Sequence, residues 1–192
     1  MKKFILVFLV LTAAVFAQNS GEKDSLKIGW FGAPVMKFTE INNDQASFFG
    51  GRIGVIINHN LKLGIGGYSL LTHITSDEVI DGEKYDIDMS YGGIEIEYAY
   101  KWDEAIHYTA ILLIGGGSVS YRDDVPADEI NYSDDQFFVA EPGANIEFNL
   151  SKNFRFDVGA GYRLVSRVFF GDLSSKELSG FIANITLKFG SF

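Results

Sequence analysis

The most constraining feature of this sequence is a period of two sustained over long stretches. Phe154, Phe156, Val158, Ala160, Tyr162 and Leu164 share one side of their segment, and Arg155, Asp157, Gly159, Gly161 and Arg163 share the other. Only an extended strand points successive side chains to opposite faces. The same alternation sets Phe138, Ala140, Pro142, Ala144, Ile146 and Phe148 against Glu141, Gly143, Asn145 and Glu147. It also sets Phe181, Ala183, Ile185, Leu187 and Phe189 against Asn184, Thr186 and Lys188. One face of each strand is built for apolar surroundings, and the opposite face is not.

Eight such stretches are legible, at 27–38, 46–58, 61–74, 85–100, 106–121, 136–150, 153–168 and 178–192. Their connections alternate in length. Short turns (58–60, 101–105 and 151–153) interleave with longer connections at 39–45, 75–84, 122–135 and 171–177. Charge sorts the same way, because the four long connections sum to −11 and the three short turns to zero. Long loops at one end and short turns at the other are the layout of a transmembrane barrel, with the short turns in the periplasm.

The chain begins MKKFILVFLVLTAAVFAQNS, in which Lys2 and Lys3 precede an apolar run and Val15-Phe16-Ala17 offers a small-residue cleavage site. This predicts a signal peptide at 1–17 and a short periplasmic segment at 18–26, before a barrel at 27–192. The apolar run is too short for a spanning helix, and no later segment offers a helix-length one. Lipid tolerates no unpaired sheet edge, so a membrane form must be a closed barrel. The expected fold class is therefore all-β: an eight-stranded antiparallel up-and-down transmembrane β-barrel.

Composition excludes several function classes. The formal charge of −9 becomes −11 without the two leader lysines, which argues against a nucleic-acid partner. There is no cysteine, so disulfides, lipid attachment at cysteine and thiolate chemistry are excluded. No cofactor is expected.

A lipocalin-like soluble barrel would turn its apolar faces inward, whereas a membrane barrel turns them outward. Glycine-rich polar faces, long strands and aromatic residues near both strand ends favour the second order. The expected girdles are Trp30, Tyr98, Tyr100, Trp102, Phe148, Phe154 and Phe189 at the short-turn end. At the loop end they are Phe38, Phe48, Phe49, Tyr121, Phe137 and Phe138.

The interior would then hold Arg52, Glu95, Glu97, Glu141, Asn145, Glu147, Arg155, Asp157, Arg163 and Lys188. An eight-stranded barrel is barely wide enough for its own side chains, so these groups are expected to pair as a buried network. Glu95 and Glu97 resemble a catalytic carboxylate pair in spacing, but the apolar residues alternating with them make them interior acids, with Arg52, Arg155 and Arg163 as partners. Ile94, Ile96, Tyr98 and Tyr100 would face lipid. Bulges are expected at Gly66-Gly67 and Gly92-Gly93 to restore phase. A pairing break is expected at Pro142, which lacks a ladder donor. Ile111 and Leu113 are expected to form a dry internal plug.

These features resemble the small outer-membrane barrels of the OmpX and OmpA transmembrane-domain type. The stretch GGRIGVIINHNLKLGIGGYSL (50–70) and the ending TLKFGSF (186–192) also resemble uncharacterised barrel proteins of Bacteroidetes-like bacteria. The resemblance implies residence in the outer membrane of a diderm bacterium, contact with its lipid and lipopolysaccharide, and a monomer. It also implies recognition by the barrel-assembly machinery through the strand ending at Phe192, although alternation places Phe192 off the lipid-facing parity. The implied role is structural or interactional, without a wide pore and without enzymatic activity. A small-solute or cation channel is the alternative, and a soluble periplasmic ligand-binding barrel the third reading.

Enzymes of this architecture need a Ser/His pair near the membrane edge. The candidates are His59, His73 and His107, with Ser69 or Ser76 nearest to His73. Weak divalent-cation binding is expected at Asp123, Asp124, Asp128, Glu129, Asp134 and Asp135, because hard cations prefer oxygen clusters; the spacing is not that of an EF-hand.

Overall fold

The computed structural model describes residues 26–42, 44–80, 83–121, 135–166, 168–170 and 173–192. The predicted signal peptide, all but the last residue of the segment 18–26, and five of the six candidate cation ligands (Asp123, Asp124, Asp128, Glu129 and Asp134) lie outside these residues. The strands are β1 (Ile28–Ile41), β2 (Asp44–Ile57), β3 (Leu61–Leu70), β4 (Ile74–Ile80), β5 (Glu83–Tyr100) and β6 (Ile106–Tyr121). They continue with β7 (Asp135–Asn149), β8 (Phe154–Ser166), β9 (Phe169–Phe170), β10 (Leu173–Ser174) and β11 (Gly180–Gly190).

Neighbours pair in the order β3-β2-β1-β11-β8-β7-β6-β5-β4, and a further β3–β5 pairing closes the ring. All of these pairings are antiparallel. The result is a closed eight-stranded barrel of β1, β2, β3, β5, β6, β7, β8 and β11, and closure removes the free edges that an open sheet would carry. The short turn between β2 and β3 is tight: Asn58 and His59 have positive φ (49° and 65°), and Asn60 N–H donates to the Ile57 carbonyl, as in a primed hairpin turn.

The loop end is more regular than the sequence predicts. Strands β1 and β2 extend to Ile41 and Asp44, which shortens the expected connection 39–45 to a turn. The expected loop 75–84 is largely strand: β3 ends at Leu70, and β4 then pairs with β5. Polar composition suggested loops there, but period two also suits a sheet whose outer face is wet.

Neither expected bulge exists. The β3–β5 and β5–β6 registers run unshifted through Gly66-Gly67 and Gly92-Gly93. Met89, Tyr91, Glu95, Glu97 and Ala99 are all buried on one parity of β5, so the strand keeps its phase and its interior face changes from polar to apolar. The β7–β8 ladder does skip Glu141 and Pro142, while the β6–β7 ladder passes through both.

Candidate functional site

The candidate site is the barrel interior, which has two layers. Toward the short turns lies an ionic cluster. Its members come from inward parities on six strands: Arg52 (β2), Lys62 (β3), Glu95 and Glu97 (β5), Glu147 (β7), Arg155 and Asp157 (β8), and Lys188 (β11). All are buried. Lys188 Nζ lies 2.6 Å from both Glu97 Oε1 and Asp157 Oδ2 and also pairs with Glu147. Lys62 Nζ reaches Glu97 at 2.6 Å and Glu147 at 3.0 Å. Arg52 lies 2.7 Å from Glu97, 3.4 Å from Glu95 and 3.5 Å from Asp157, and Arg155 lies 2.6 Å from Glu147. Four carboxylates thus meet four cations, the condition under which buried charge is tolerated.

This arrangement decides what the acids can do. Carboxylate oxygens of Glu97, Glu147 and Asp157 lie within 4.8 Å of one another, close enough to hold a cation. The Lys188 ammonium already stands among them, so the chain supplies its own cation. His107 sits at the short-turn edge of the cluster, with Nε2 2.9 Å from Glu147 Oε1 and Nδ1 3.3 Å from the Glu104 carbonyl. The Thr109 hydroxyl accepts from Asn145 Nδ2 at 3.0 Å, and Asn184 donates to Asn145 Oδ1 at 3.1 Å.

A smaller polar group spans the middle. Lys37 pairs with Glu141, its ammonium 3.3 Å from the Tyr68 ring centroid. Tyr91 OH donates to Glu141 at 2.8 Å, and Tyr68 OH donates to Glu95 at 2.5 Å. A cavity of about 30 Å³ lies here, lined by Lys37, Arg52, Tyr68, Glu141, Asn145 and Asn184, among others. Above it, toward the loops, the interior is apolar: Phe48, Leu70, Ile87, Met89, Leu113, Val119, Phe137, Val139 and Leu178 are buried in one cluster. Leu113 thus belongs to a much larger plug than expected, which Ile111 does not join, and both side chains line the cavity.

The interior residues named from the sequence therefore meet inside, with two changes. Arg163 does not join the carboxylates. It is fully buried beneath the apolar layer, donating Nε–H to the Leu178 carbonyl at 2.8 Å, with its guanidinium 4.9 Å from the Phe48 ring centroid. Lys37, Lys62 and His107 were not in the predicted interior set, although each lies on the inward parity of its strand. Lys62 could have been found from its alternation with Leu61 and Leu63.

The expected girdles also divide. Trp30, Tyr100 and Phe189 are exposed outward at the short-turn end, and Phe38, Phe49 and Phe138 at the loop end. Tyr98, Trp102, Phe148 and Phe154 are half-buried, with Phe154 stacked on Phe189 and Trp102 on His59. Phe48 and Phe137 are instead interior, and Tyr121 packs against the same core. Adjacent residues of a strand cannot share a face, so Phe48 and Phe49 could not both have met lipid. Phe192 is turned in, against Phe31, Ala33 and Ile56, with the Arg155 guanidinium 4.1 Å from its ring centroid.

Outside the wall, exposed His73 holds Asp86 at 2.9 Å, and Thr75 bonds the same carboxylate. In the turn after β5, a hydrogen bond to Glu104 raises the Lys101 pKa above that of an ordinary lysine. At the loop end, the Ser174 hydroxyl lowers that of Glu177.

Comparison with known proteins gives a family and a fold. A family model described as "Outer membrane protein beta-barrel domain" matches residues 4–189. Neisserial surface protein A is similar in structure over 88% of this chain and 100% of its own, with TM-score 0.53 and 11% identity. Ail, the attachment invasion locus protein of Yersinia pestis, solved with the heparin analogue sucrose octasulfate, covers 85% of this chain and 96% of its own, with TM-score 0.51 and 13% identity. No curated protein sequence matches.

Proposed function

Because the chain belongs to the outer membrane protein beta-barrel family, we propose that it acts there as a closed barrel with a structural or surface-interaction role rather than as a pore. The observation that carries this reading is the filled interior. Ion pairs occupy the short-turn half and apolar side chains the loop half, and the cavity between them, about 30 Å³, has room for only one or two waters. Among the described residues, the ionic groups also leave the carboxylates engaged rather than poised for chemistry.

Planar-bilayer recording tests the proposal. The expected outcome is an electrically silent protein. A steady cation-selective conductance would replace this reading with the small-solute or cation channel. A soluble periplasmic barrel is disfavoured by the exposed isoleucines and aromatic rings of the outer wall, which would need to be hidden from water.

The remaining assignments belong to the same proposal. The leader at 1–17 is removed, and the protein resides in the outer membrane of a diderm bacterium as a monomer among lipid and lipopolysaccharide. The barrel-assembly machinery would read β11 from its outward face, where Phe189 is exposed while Phe192 is turned in. Acidic connections make a heparin-like polyanion a poor surface partner, since like charges repel. Asp135 and its acidic neighbours would instead take calcium weakly, which calorimetric titration would detect as heat.

A further inference from the structure

The outer wall changes character along its axis. On β3, β5 and β6, directly paired cross-strand rows read Ile65–Ile94–Ile114, then Gly67–Gly92–Gly116, then Ser69–Ser90–Ser118. The isoleucines are 60%, 63% and 46% exposed. The next outward pair toward the loops is Asp88 and Ser120. The same change occurs around the ring: Phe49 gives way to Ser47, Phe38 to Glu40, Phe138 to Gln136 and Leu164 to Ser166.

The inner wall changes in the opposite sense over the same interval. Glu95 and Glu97 are followed inward by Tyr91, Met89 and Ile87, and Arg52 by Phe48. Below the glycine row the barrel is apolar outside and mainly polar inside, apart from the small patch of Phe31, Ala33 and Ile56, the order suited to lipid. Above it the order is mainly that of a water-soluble protein, apolar inside and polar outside, with Leu71, 50% exposed beyond Ser69, the apolar exception.

We propose that the loop-side membrane boundary crosses this wall at the Gly67–Gly92–Gly116 row, and that the eight strands continue past it as a rigid, water-exposed section whose hydrophobic core is the interior plug. Acyl chains would meet the wall up to the isoleucine row. Headgroups and water would meet it from the serine row onward, so any surface partner would encounter a preformed sheet rather than loops alone. The dimensions agree. Gly92 to Tyr100 is eight residues, which at about 3.3 Å each and a tilt of about 40° spans about 20 Å. Phe138 to Phe148 is ten residues, spanning about 25 Å by the same arithmetic, close to the apolar band of roughly 25 Å found on such barrels.

This inference rests on the membrane-barrel reading, and its test separates the two. The chain has no cysteine, so single substitutions Ser90→Cys, Ser118→Cys, Ile94→Cys and Ile114→Cys each report one position. The folded variants, verified by their heat-sensitive gel migration, are placed in phospholipid vesicles with a charged maleimide present on both faces. Positions 90 and 118 should label to completion while 94 and 114 stay protected, and protection should be lost on denaturation. Protection at all four would put the boundary above the serines and overturn the inference while keeping the membrane barrel. Rapid labelling at all four would mean that the wall does not face lipid, overturning both.

Discussion

The two halves of the barrel interior solve opposite problems with one backbone. In the short-turn half, the outward side chains are apolar and the charges are driven inward, where Lys188 and Lys62 bind Glu97, Glu147 and Asp157. In the loop half, the outward side chains are polar, and Phe48, Met89, Val119 and Phe137 pack inside. Period two is unbroken from one half to the other; only which face is apolar differs. Inside and outside of a narrow barrel are complementary, and neither is polar by default.

The largest effect should come from breaking the charged half. Lys188→Met removes the ammonium shared by three buried carboxylates. Leaving such charge uncompensated costs roughly 3–5 kcal/mol, to be read from urea unfolding in vesicles. Adding Glu97→Gln should return part of the loss. An unchanged unfolding midpoint for Lys188→Met alone would show that the carboxylates do not depend on it.

The loop half gives the next effect, and two adjacent residues make the comparison. Phe48→Ala should cost about 3 kcal/mol through the cavity it leaves. Phe49→Ala, on the outward face, should cost less than about 1 kcal/mol, because lipid can fill the space. Equal costs would deny the change of sides between the two rings.

A smaller effect than at Phe48 is expected at Arg163, the charge lying within the apolar half. Among the described residues its Nη atoms find no carboxylate or carbonyl partner and lie against the Phe48 and Tyr91 rings, so Arg163→Met exchanges one hydrogen bond and these ring contacts for relief of a buried charge. A net loss of about 1–2 kcal/mol is expected. A loss as large as that for Lys188→Met would mean that Arg163 belongs to the ionic network after all.

Much of this was legible beforehand. Alternation identified the strands and put Glu95, Glu97, Arg155, Asp157 and Lys188 on their non-lipid faces, because the polarity of a strand face is written two residues apart. Several of the errors share one cause, the assumption that the interior is polar along its whole length. The bulge expected at Gly92-Gly93 follows from it, although the ladder there runs straight. Phe48 and Phe137 went to a girdle for the same reason. Lys37 was missed because its face-mates Phe31, Ala33 and Val35 are apolar.

The sequence by itself determined the number of wall strands, the alternation of faces along most of them and the concentration of negative charge toward one end of the barrel. These are local properties, set by the pleat of an extended chain. Only the tertiary structure decided which base meets which acid. Lys37 and Glu141 are 104 residues apart and Lys188 and Glu97 are 91 apart, and they meet because closure of β3 onto β5 fixes the stagger of every strand. It likewise decided where inside and outside exchange character, since that level exists only once eight separate strands are held side by side in register.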